Sequence, residues 1–164
     1  MPVAPIMCAG CAALCLGLAQ AATDTLLALG ASKVQVGPFP GLRERPAVQG
    51  MVASAAAQLD AVRLLLHGAL GDLWATCMQG TPVTDDQRVR VFASGLYAAQ
   101  TAKAVVASMY EAAGTSALYV DCPLERAHRD IYAVMQHVQL APLWREAAGR
   151  VRLGLPPQHP FFGV

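Results

Sequence analysis

Gly114-Thr115-Ser116-Ala117-Leu118-Tyr119-Val120-Asp121-Cys122-Pro123-Leu124-Glu125-Arg126-Ala127-His128-Arg129-Asp130-Ile131, with His137 seven residues beyond Asp130, joins a helix end to a helix start and places a titratable group downstream. Gly114 can take the left-handed conformation that closes a helix. A further helix is expected to start near Pro123, much as Pro46, upstream, suits a first helical turn because its missing amide proton has no helical partner there.

Upstream of this stretch, Thr84-Asp85-Asp86-Gln87 matches a capping box, in which the threonine oxygen takes a free backbone amide and the glutamine reaches back. A helix is expected from there to Gly114, with a core stripe of Phe92, Leu96, Ala99, Ala102, Val106 and Met109. Before it, Val48, Val52, Ala55, Leu59, Val62, Leu66 and Leu73 step by threes and fours over about seven turns. That pattern predicts one long amphipathic helix from about Pro46 to Cys77. Ile6 to Ala31 reads as a further helix, and Gly37, Pro38, Pro40 and Gly41 make the intervening segment a loop.

Downstream, the helix that begins near Pro123 continues through Ile131, Val134, Met135 and Val138. It is expected to run past Pro142 to about Ala148, bending where proline removes a hydrogen bond. On such a helix Asp130 and His137 share a face about 10 Å apart along the axis, too far for a direct hydrogen bond. The tail from Pro156 to Val164 reads as irregular. No strand pattern, internal repeat or low-complexity linker interrupts the chain. The expected fold is all-α, an up-down helical bundle over residues 1–155 followed by the tail 156–164.

A chain of 164 residues can bury a core as one domain without disulfides or a metal. Its 12 basic and 11 acidic residues nearly cancel and form no basic stripe, which argues against a nucleic-acid partner. Only 14% of residues are charged while 55% are hydrophobic, against roughly 25% charged in ordinary soluble domains. The deficit is local: Asp24 is the only charge from Met1 to Ser32, and Lys103 and Glu111 are the only ones from Val91 to Gly114. Helices this apolar are covered by a larger assembly or by lipid. A secretory signal lacks its basic n-region, and a membrane span lacks a Lys/Arg flank, so neither export nor a membrane role is expected.

Five cysteines, an odd number, read as reduced thiols of a cytoplasmic protein. Cys8, Cys11 and Cys15 share one helix face, but no histidine or fourth cysteine stands near them in the sequence to complete a tetrahedral site. They read as small packing residues, and no metal is expected. Dinucleotide, Walker, zinc-protease and nucleophile-elbow motifs are absent. By spacing alone, Arg126, Arg129 and Asp130 read as helix ion pairs and His137 as a histidine that bonds a neighbouring backbone group.

The succession of an aliphatic-aromatic helix, Gly114, a variable turn, Pro-Leu-x-Arg at Pro123 to Arg126, Arg129-Asp130 and then His137 resembles the carboxy-terminal domain of flavin-dependent monooxygenases built on the acyl-CoA dehydrogenase fold. Leu16-Gly17-Leu18-Ala19 and Arg45-Pro46-Ala47-Val48-Gln49 fit the same pattern, and the likeness covers nearly the whole chain. It implies a hydroxylase of aromatic or amine-type small molecules that uses dioxygen and reduced flavin, FMN or FAD, supplied by a separate reductase. It implies His137 as the catalytic residue, offering a hydrogen bond at the flavin's reactive edge or helping to deprotonate the substrate, tasks suited to an imidazole.

By the same resemblance, Lys33, Gly37, Gly114 and Arg129 contact the cofactor. Lys33-Val34-Gln35-Val36-Gly37 stands where the family has Arg-x-x-Phe-Gly and keeps only the charge and the glycine; lysine lacks the planar fork and valine cannot stack. The resemblance further implies self-association to a dimer or tetramer, and flavin-binding domains that lie outside this chain, in cis or in trans. The chain by itself is then expected to be inactive.

The dehydrogenase branch is disfavoured, because no carboxylate occurs between Asp130 and Glu146 and Asp24 is the only acid of the first helix. A third reading is a helical oligomerisation module without catalysis.

Overall fold

The computed structural model describes residues 2–32, 40–159 and Phe162. Five helices form it: α1 (Val3–Ser32), α2 (Pro46–Met78), α3 (Asp85–Ala113), α4 (Pro123–Val134) and α5 (Pro142–Arg152). No strand occurs among the described residues. α3 is the central element, packed against the other four, and α1 also packs against α4 and the turn that follows it.

α3 begins at the expected capping box. The Thr84 hydroxyl accepts the Gln87 amide at 3.2 Å, and the Thr84 amide donates to Gln87 Oε1 at 3.0 Å. Gln87 Nε2 also donates to Thr76 Oγ1, at 2.6 Å, which ties the start of α3 to the end of α2. Asp85 and Asp86 in its first turn complement the positive end of the helix dipole. The helix closes at Gly114, whose φ of +60° and ψ of −138° suit a residue without Cβ. All six residues of the expected stripe, from Phe92 to Met109, are buried.

α1 buries Ala4, Cys8, Ala12, Cys15, Ala19, Ala22 and Leu26, a seam of mostly small residues at steps of three and four. Small side chains let the two backbones approach, and Gly95 of α3 faces Cys8 there. α1 is long and apolar enough to cross a membrane by length and composition, but this seam is packed on α3 and α4 as in a core helix.

The expectation of one bent helix from Pro123 to Ala148 fails. α4 stops at Val134, its end tightened by bonds from Gln136 N–H to Ala133 O and from His137 N–H to Val134 O. His137 is extended at φ −65° and ψ 137°, a 3-10 turn follows at Val138–Leu140, and Ala141 is extended again at ψ 149°. Pro142 explains the second break: its ring disfavours helical backbone at the preceding residue, and it serves as the first residue of α5. The two helices are separate, and His137 lies on neither.

Candidate active site

The 3-10 turn between α4 and α5 is anchored from behind. Trp144, buried in α5 and stacked on Phe92 at a centroid distance of 4.2 Å, donates its indole N–H to Val138 O at 2.8 Å. Leu140 N–H donates to His137 O at 2.8 Å. These bonds fix the backbone from which the His137 ring projects.

Two groups hold the ring itself. The Gln139 amide donates to His137 Nδ1 at 3.2 Å, and Cys11 Sγ of α1 lies 3.5 Å from the same nitrogen. The imidazole is exposed, as is Val138 beside it at 64%. Along α1, Met7 and Leu14 flank Cys11 by one turn on each side and are also exposed. The ring therefore stands on an uncharged, apolar surface. Gln139 is buried, and its Oε1 has no hydrogen-bond partner among the described residues.

The reading that no histidine stands near the α1 cysteines is corrected by this contact, although among the described residues no three His, Cys, Asp or Glu side chains converge as metal ligands. Cys8 and Cys15 are buried packing thiols. Burial, helped by neighbouring thiols, pushes Cys8 up to about 12 and Cys15 up to about 11, and burial raises Cys11 as well.

The other residues singled out in the sequence do not join this cluster. Arg129 pairs with the half-buried Glu125 at 2.7 Å, and Arg126 with Asp130 at 3.4 Å on the helix surface. Asp24 accepts from Gln20 Nε2 at 2.9 Å, also on the surface. Gly114 is exposed at the end of α3. Lys33 and Gly37 fall outside the described residues. Cys11 and Gln139 were missed as site residues; a contact spanning 126 positions leaves no local signal beyond the spacing of the cysteines.

The family described as acyl-CoA dehydrogenase, C-terminal domain, matches residues 9–142. The chain is 30% identical over 142 residues to indole-3-acetate monooxygenase of Pseudomonas putida, an alignment that covers 87% of this chain and 36% of that protein. Among solved structures, 3-HSA hydroxylase from Rhodococcus sp. RHA1 superimposes with a TM-score of 0.88 at 25% identity, over 99% of this chain and 42% of that one. XiaF from Streptomyces sp., solved with FADH2 and glycerol, gives a TM-score of 0.86 at 19% identity, over 96% of this chain and 40% of that one, a likeness of fold. The chain thus spans about a third of the length of the curated relatives it matches.

Proposed function

The chain belongs to the acyl-CoA dehydrogenase C-terminal domain family, and from that premise we propose that it is the helical domain of a reduced-flavin-dependent monooxygenase that hydroxylates an aromatic or amine-type small molecule. The observation that carries this reading is the His137 imidazole held on an uncharged face of α1, with apolar Met7, Leu14 and Val138 exposed around it. A flat aromatic ring can settle on such a surface, and a single polar group there orients it. The absence of a carboxylate between Asp130 and Glu146 disfavours the dehydrogenase chemistry of the same fold.

The described residues fit one part of a flavin. His137 and the apolar residues about it suit the edge of its ring. For the phosphate end, the reading relies on Arg129, which would have to leave its pair with the half-buried Glu125, on Gly114, and on Lys33 and Gly37. A bound reduced flavin supplies the two electrons that, with dioxygen, place one oxygen atom on the substrate and release the other as water. The choice of FMN or FAD, a separate reductase, the flavin-binding domains in cis or in trans, a cytoplasmic location and a dimeric or tetrameric state belong to the same proposal.

The test joins this chain to the amino-terminal and middle domains of the Pseudomonas putida relative and supplies photoreduced FMN or FAD with indole-3-acetate and other aromatic acids. Product formation is expected, with His137→Ala lowering kcat/KM by about 10²–10⁴ and lowering Tm by only about 2–4 °C, the cost of the cap that its ring gives the following turn. A folded, flavin-binding chimera that hydroxylates nothing leaves the assembly-module reading in its place.

A further inference from the structure

The two contacts at His137 Nδ1 differ in what they permit. A backbone N–H can only donate, so the Gln139 amide at 3.2 Å requires a lone pair on Nδ1. Cys11 Sγ, at 3.5 Å from the same nitrogen, then has one role open to it, that of S–H donor sharing the lone pair. Burial of Cys11 keeps the proton on its sulfur and so opposes a thiolate–imidazolium pair. With Nδ1 engaged from the protein side, Nε2 is the ring nitrogen left for an outside partner.

We propose that Cys11 is a positioning residue for His137: together with the Gln139 amide it keeps Nδ1 an acceptor, so that the proton stands on Nε2 and the ring meets its partner as a hydrogen-bond donor and not as a base. This rests on the assignment of His137 to the active site and narrows what that site can do. The group that lands on Nε2 must offer an acceptor atom, such as a carboxylate, carbonyl or phenolate oxygen or a bare ring nitrogen. A substrate whose reacting group must first surrender a proton to His137 does not fit. Turning the ring over would place Cδ2 against the amide and the thiol and lose both bonds, so one ring orientation is kept.

The experiment uses the full 164-residue chain with ¹⁵N-labelled histidine. Long-range proton–nitrogen spectra, assigned with His137→Gln, report which ring nitrogen is protonated in the neutral side chain. In the wild type the Nε2–H form is expected to exceed the other by about tenfold or more, as a net bond of ordinary strength gives. Cys11→Ala is expected to cut that ratio about threefold to tenfold, and Cys11→Ser, which keeps a donor, to retain more of it. An Nδ1–H ring in the wild type, or an unchanged ratio in folded Cys11→Ala, overturns the proposal. The spectra need no turnover: a dominant Nε2–H ring alongside a fully active His137→Ala chimera would remove His137 from the active site and leave the positioning of the ring standing.

Discussion

At Gly95 the backbones of α1 and α3 come close enough that a Cβ would stand 3.0 Å from Cys8 Sγ and 3.6 Å from Cys8 O. The sulfur is itself fully buried in the seam, so it has little room to give. Gly95→Val is therefore expected to destabilise by about 1–3 kcal/mol through overpacking, part of the cost being offset by valine's better helix propensity. A thermal melt would show Tm lower by about 2–4 °C for each kcal/mol in a chain of this length. Combining it with Cys8→Ala should recover part of the loss, because the two residues share one contact. An unaltered Tm for Gly95→Val would mean that the helices separate at no cost. Nothing in the local sequence marks Gly95 as a crossing point, since glycine in a helix reads only as a weak position. Gly114 was legible because its place after an apolar helix and before a turn demands a residue of positive φ, and φ is +60° there.

Elements with a chemical start signal were read well from sequence: α3 from its capping box, and α2 and α4 from Pro46 and Pro123 at their first positions. The break after α4 was not, because the apolar spacing of Val134, Met135 and Val138 continues the helical period. What ends the helix is not in that spacing: Trp144 bonds Val138 O, and the His137 ring accepts the Gln139 amide and caps the following turn. The tail after α5 leans on the same tryptophan, with the His159 ring stacked at 3.7 Å from Trp144 and Phe162 at 5.7 Å from Phe92. Burial lowers the His159 pKa from its ordinary 6.5, so the docked tail binds a proton less readily than the free one. The contribution of this contact is complete above 6.5 and is lost as pH falls through the lowered value. In a Trp74→Phe background, Trp144 emission is expected to change on acidification below that point, and His159→Phe to flatten the change. A pH-independent signal with His159 in place would show that the stacking does not discriminate between the two charge states.

The molecule as a whole carries more apolar surface than its few charges can offset, and the surplus is organised. On α2, opposite the buried Ala55, Leu59, Val62, Leu66 and Leu73, the exposed residues Ala57, Ala61, Leu64, Gly68, Gly71, Ala75 and Met78 recur at steps of three and four. No charge interrupts that line, Leu64 is 76% exposed, and a Cβ added at Gly68 or Gly71 would meet nothing within 4 Å. A smooth helical stripe of this kind lets a second helix approach closely, and burying its leucine and methionine removes apolar area worth about 25 cal/mol per Å². The purified chain is accordingly expected to sediment as a dimer or tetramer at tens of micromolar, roughly the range in which weak interfaces populate. Replacing Leu64 and Met78 by lysine places like charges on both sides of a self-complementary interface, and should weaken association about 10- to 100-fold with little change in helix content. Because these residues are exposed in the single chain, the substitutions leave its core intact and separate assembly from folding. A wild-type chain that stays monomeric would place the cover of this stripe elsewhere, on a domain that this chain does not contain, and lysines at 64 and 78 would then alter nothing measured on the chain alone.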